Sequence, residues 1–254
     1  MWTMTSRSVT TDEVPARGQA PDFPLYAGDP VRLSGRAWAV LLGAVLVGAA
    51  CDLFVGVPGP AWVSLALRGV LFAGVPLVVL HLLAPGTIGR LFQRLRPRAA
   101  LLAVAVAVVN VVVTFVVGAL VASLIGAEAN PMGGTVAGQG ALDNVLTFLA
   151  MVPQLVGEEV FTVLPLLAVL TLGTTVLRLS RRSSLVLAVV VSTLLFAALH
   201  LPTYDWNVLQ CVLLIGTARV ILLIPYLVTK NLTASVTAHV LNDWALFGSA
   251  ALLG

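Results

Sequence analysis

Apolar runs of eighteen or more residues recur along the chain, LLAVAVAVVNVVVTFVVGALVASLIGA being the plainest. Each can cross roughly 30 Å of hydrocarbon at about 1.5 Å per helical residue. Inside hydrocarbon every backbone N–H and C=O needs a partner within the protein, so such runs fold as helices. The 254 residues are 59% hydrophobic and only 10% charged, and the mean hydropathy is +1.03. The expected fold class is therefore an all-α polytopic transmembrane bundle of about seven spans. They are expected at about 36–57, 61–83, 99–126, 142–177, 183–201, 206–228 and 232–253. The fourth would be about 54 Å long if straight, so a break is expected near Gly157.

Residues 1–35 mix Pro, Gly, Ser, Thr and scattered charges without an apolar stripe, the composition of a disordered tail. They hold no apolar stretch of the signal-peptide kind, so the first span is expected to direct insertion. Residues 36–254 then form the transmembrane helical domain. The net charge of +3 does not point to nucleic acid, because the arginines lie in the gaps between apolar runs, where they signal topology. Arg36 opens the first helix, Arg90 to Arg98 follow the second, Arg178 to Arg182 the fourth and Lys230 the sixth, all on one side. The gaps PGP, GAEANPMGGTVAGQG and PTYDW carry no Lys or Arg. The positive-inside rule then makes the N-terminus cytoplasmic and the C-terminus external. Cys51 and Cys211 fall inside apolar runs with no CxxC spacing, as buried thiols do.

The polar exceptions within the spans carry the chemistry. QLVGEEVFTVLP places Glu158 and Glu159 in tandem in the fourth apolar run. A carboxylate at mid-membrane costs about 2.5 to 3.5 kcal/mol on insertion scales, so it faces the bundle interior and takes a partner. Helical neighbours diverge by about 100°, so one glutamate can act on water while the other orients a neighbour. His200 closes the fifth run in LLFAALHLP, and His239 and Asp243 share one helical face of the seventh at i, i+4. A Glu, two His and an Asp can activate water in two ways. They can hold Zn²⁺, with Glu158, His200 and His239 as the ligands, or Glu158 can serve as general base with the histidines on the oxyanion. Sequence leaves both open, so the cofactor is either none or Zn²⁺. Asp52 and Arg68 are expected to pair, and Asn110 to make an interhelical hydrogen bond.

GEEVF, FAALH and HVLND, in that order, resemble the three motifs of the CPBP family, the intramembrane proteases related to the CAAX prenyl endopeptidase and to bacteriocin-processing and immunity proteins. Carried over, the motifs assign Glu158 and Glu159, Phe196 and His200, and His239 and Asp243, with the protease-like core at about 140–250. The resemblance implies an intramembrane endopeptidase of the glutamate or metallo type, a membrane protein or peptide as substrate, and a bacterial plasma membrane as the setting. One position departs from the pattern: Val163 stands where the first motif has arginine. Arg219, midway along the apolar LLIGTARVILLIP, is expected to supply that cation in space. The rival readings are a catalytically inactive family member serving as membrane scaffold, chaperone or immunity factor, for which Val163 speaks, and a proton-coupled carrier.

Overall fold

The computed structural model describes residues 22–26 and 28–253, and among them there is no strand. The helices are α1 (Gly35–Phe54), α2 (Ala61–Leu83), α3 (Thr87–Leu91), α4 (Pro97–Ile125), α5 (Pro131–Ala137), α6 (Ala141–Thr175), α7 (Arg181–Leu199), α8 (Val208–Gln210), α9 (Gly216–Thr229) and α10 (Leu232–Leu253). A π-helical turn, Cys211–Ile215, fuses α8 to α9. Six helices are long and apolar enough to cross a bilayer: α1, α2, α4, α6, α7 and the fused Val208–Thr229. These do not include α10, which has 22 residues and carries His239, Asn242 and Asp243. The chain is an integral membrane protein with an all-α fold, as the apolar runs require.

The expected break near Gly157 is absent. α6 runs unbroken for 35 residues through Pro153 and Pro165, because the helices around it supply packing that an isolated helix would lack. α2, α7, α10 and α1 all pack on α6, and 72% of its apolar window is buried against 22% to 39% in the other five spans. α6 is thus the axle of the bundle. Gly157 is small for a steric reason: a Cβ there would lie 2.6 Å from the Phe72 ring of α2. Gly69 lets the α2 backbone approach α6 still more closely, since its Cβ would fall 2.4 Å from the Gln154 amide nitrogen. Gly69 opposite Gln154 and Phe72 opposite Gly157 advance together, so α2 and α6 run parallel. α4 is the least buried span and turns Leu101 and Leu124 outward, as a lipid-facing helix does.

Of the segment read as a tail, residues 1–21 lie outside the described residues. From Asp22 onward the chain packs on the bundle. Phe23 and Leu25 are 2% and 1% exposed, and the Phe23 ring meets Tyr226 of α9 at 5.6 Å. Arg181, at the start of α7, donates two hydrogen bonds to Asp22, Nε to Oδ2 at 2.8 Å and Nη2 to Oδ1 at 2.5 Å. Burial alone would raise the Asp22 carboxyl, but those bonds, the Phe23 amide and the Arg181 charge outweigh it and hold it below the usual carboxylate value. Its contribution to stability is therefore present above the ordinary carboxylate pKa and fades as pH falls through the lowered one. Further polar contacts at this end pair Arg90 with Asp29 and join Gln93 to Asn231, the Gln93 amide donating to Oδ1 at 3.1 Å.

Gly69→Ala tests the close approach. A methyl group against backbone has nowhere to move, so the variant should lose about 1 to 3 kcal/mol and melt earlier in detergent. Gly74→Ala, with nothing within 4 Å of its Cβ, should melt at or slightly above the wild-type temperature; equal behaviour of the two would refute the packing argument.

Candidate active site

Glu158 and Glu159 sit at the middle of α6, 6% and 0% exposed. As neighbours on a helix they face different ways, and the structure gives them different partners. Glu159 points into the protein, where Arg219 of α9 brings Nη2 to 2.6 Å of its Oε1, both side chains being fully buried. The same Oε1 lies 2.9 Å from His239 Nδ1 of α10. A carboxylate oxygen accepts, so Nδ1 carries the proton and Nε2 is turned away from Glu159. Nε2 then faces Glu158 Oε2 at 3.6 Å and Asp243 Oδ1 at 3.7 Å. Both gaps are too long for direct hydrogen bonds and are of a size that a shared water bridges.

Glu158, His200, His239 and Asp243 line one cavity of about 470 Å³, whereas Glu159 lies behind its wall. Gln154, one turn before Glu158 on the same face, donates to Glu158 Oε1 at 3.3 Å. Asp243 is held from the other side, accepting from Asn242 Nδ2 at 2.9 Å while Asn242 Oδ1 accepts from Asn110 of α4 at 2.9 Å. Asn110 thus makes the interhelical bond expected of it. Trp244 Nε1 donates to the Phe148 carbonyl at 3.1 Å and pins α10 to α6.

His200 caps the C-terminus of α7, and its Nδ1 lies 2.9 Å from the Phe196 carbonyl. A carbonyl can only accept, so the proton sits on Nδ1 and Nε2 is left for the cavity. Counting helical rise places His200 and His239 about 10 Å apart in depth; Phe196 spans the difference. Its ring meets His200 at 4.6 Å in a tilted arrangement, approaches His239 at 6.4 Å, and carries the Arg219 guanidinium at 4.9 Å on its face. Glu158, Glu159, Phe196, His200, Arg219, His239 and Asp243 are the residues the sequence points to; Gln154, Asn242, Phe148 and Trp244 are added by the structure. The i, i+4 spacing of Gln154 and Glu158 was the available signal.

One expectation changes. Asp52 and Arg68 both line the cavity, yet among the described residues they form no ion pair within 4 Å. Arg68 Nε is instead buried without a hydrogen-bond partner, so the two side chains share the cavity wall without a direct bond. Val163 is fully buried in the main apolar cluster, so the missing arginine leaves a packed methyl surface and no vacant charge site. As for metal, among the described residues no three His, Cys, Asp or Glu side chains cluster as ligands. His239 Nδ1 on Glu159 and His200 Nδ1 on a carbonyl leave both Nε2 atoms for the cavity, an orientation compatible with water activation and with metal ligation alike.

Residues 141–245 match the family model described as type II CAAX prenyl endopeptidase Rce1-like. No curated protein and no solved structure matches the chain. The matched stretch runs from α6 to the middle of α10, and so contains every group named above except Asn110, Asp52 and Arg68. The family is one of proteases, which supports a protease here.

Removing one member of a buried ion pair strands the other, at about 3 to 5 kcal/mol. Arg219→Leu should therefore lower the melting temperature strongly, and Arg219→Leu with Glu159→Gln should recover most of the loss. A single variant as stable as wild type would show that Glu159 does not depend on Arg219.

Proposed function

We propose that the protein is an intramembrane endopeptidase of the glutamate type, hydrolysing a peptide bond in a membrane-associated protein or peptide. The observation that supports it is the 3.6 Å gap between Glu158 Oε2 and His239 Nε2 on the wall of a membrane-buried cavity, with His239 held through Nδ1 by the Glu159–Arg219 pair. A water in that gap gives a proton to Glu158 as its oxygen bonds to the scissile carbonyl carbon. His239, flanked by three carboxylates, donates from Nε2 in its imidazolium form to the oxyanion. Glu158 then passes its proton to the departing amine nitrogen as the C–N bond breaks. His200 presents Nε2 to the same cavity and orients water or substrate, and Asp243 supports His239. Glu159 and Arg219 are positioning residues, since neither needs to touch the substrate.

The inactive-scaffold reading rests on Val163. Arg219 weakens it, because the cation absent from position 163 reaches Glu159 from α9. The arginine distribution further supports a cytoplasmic N-terminus and external C-terminus.

Glu158→Gln should lower turnover of a broad peptide set by about 100-fold or more, the usual worth of a general base, with expression and melting near wild type. Unimpaired cleavage by that variant would refute the assignment. His239→Ala and His200→Ala should each lose most activity, and an active variant would demote that histidine to packing. A strong chelator is expected to leave the rate unchanged; loss that Zn²⁺ restores would move the enzyme to the metallo type.

A further inference from the structure

Among the described residues the cavity wall reaches one end of the bundle. Asp22 with Arg181, Gln93 with Asn231, and Lys230 over the Phe23 ring at 5.2 Å gather the N-terminal segment and the gaps after α2, α6 and α9 at one end of the bundle. Asn130 with Tyr204 at 3.0 Å, and Gln210 with the Glu128 backbone at 2.8 Å, gather the gaps after α4 and α7 at the other. The cavity wall extends from the level of Glu158 and His239 toward this second end on α6, α7 and α10, and on α9 it reaches one turn past Arg219 to Leu222. On α6 it runs from Glu158 back to Met151, on α10 from His239 on to Phe247, and past α7 from Phe196 to Tyr204. No residue of 84–96, 176–181 or 229–231 lines it. Toward the first end the interior is solid instead, with Val163, Leu167, Leu170, Leu223 and Tyr226 in one cluster capped by Phe23 and Leu25.

The sealed end is also the basic one. Arg90 to Arg98, Arg178 to Arg182 and Lys230 all belong to it, whereas the loops at the open end carry no Lys or Arg. Basic residues within a turn or two of span ends stay on the cytoplasmic side. We infer that the cavity opens on the extracytoplasmic face, and that the peptide class it takes is one whose scissile segment reaches the site from that face, not a cytoplasmic chain terminus. This inference rests on the hydrolase reading for the word substrate, and on the arginine distribution and the cavity wall for the side.

Single cysteines in the full chain, in a Cys51→Ala/Cys211→Ala background, test it. Thr203→Cys lies at the cavity mouth, Asp205→Cys in the loop at the open end, and Arg94→Cys at the basic end. In intact cells a membrane-impermeant methanethiosulfonate should label Thr203→Cys and Asp205→Cys, and Arg94→Cys only after permeabilisation. In sealed proteoliposomes of known orientation, a quenched-fluorescent apolar peptide pool should be cut when offered on the Asp205 side. A bulky reagent on Thr203→Cys should abolish most of that turnover. Arg94→Cys labelled from outside would overturn the stated side. Turnover unaffected by a fully modified Thr203→Cys, or equal from both sides, would overturn the single mouth. Outside labelling of Thr203→Cys without cleavage from either side would support the access route while refuting hydrolysis.

Discussion

The contact of Arg219 with Glu159 is the constraint on which the site depends. Two full charges with no exposed surface at all are expensive to keep in a membrane bundle. Their cost is offset only while they stay in contact, which fixes α9 against α6. The pair also reaches further, since Glu159 Oε1 takes the His239 proton and the guanidinium lies on the Phe196 ring. α6, α7, α9 and α10 are thereby tied at one level by a single salt bridge. Three N–H-bearing nitrogens of Arg219 and Glu159 Oε2 still lack well-aligned hydrogen bonds. The charge contact and the aromatic face therefore hold this cation, where a bidentate fork would be the stronger arrangement.

Tandem glutamates become intelligible from this arrangement. Adjacent positions on one helix must diverge, so a carboxylate turned into the protein and a carboxylate turned into a cavity come from one short stretch of α6. Glu159 never meets the cavity, and Glu158 has no arginine or lysine in contact. One acid is therefore fixed by its counter-charge, whereas the other keeps only Gln154 and the distant His239 ring as neighbours. A fixed His239 and a loosely held Glu158 are what a water-activating pair requires: one group sets the geometry and the other exchanges protons.

Much of this was legible because hydrocarbon makes polar residues conspicuous. Glu158, Glu159, His200, Arg219, His239 and Asp243 all stand out against apolar neighbours, and the structure brings all six to one region. What sequence could not show is direction within a turn. Which glutamate faces the cavity depends on the rotation of α6, and that rotation is set by Gly69 and Gly157, whose absent side chains admit α2. Gly157 read as a break for the same reason, because a small residue in a long helix looks like weakness until the neighbour that fills the space is known. Asp52 and Arg68 matched in charge and in level, but complementarity in sequence says nothing of how far apart two helices hold their side chains. Phe23 and Leu25 lay in a stretch poor in apolar residues, and their burial depends on Tyr226 and Arg181, some 160 to 200 positions away.

Hydrolysis inside a bilayer requires water to reach a place from which the surrounding lipid excludes it. The polar groups Asp52, Arg68, Asn130, Gln154 and Asp243 on the cavity wall lower the cost of hydrating it. They all lie between the Glu158 level and one end of the bundle. The opposite end is filled by leucines, valines and the aromatic pair of Phe23 and Tyr226. A channel open at both ends would let protons leak along a wet path across the membrane, whereas a blind cavity admits water and peptide without one. The apolar plug and the polar wedge thus belong to one solution, and α6 carries both: Met151 to Glu158 line the wet half, and Val160 to Leu170 fill the dry half.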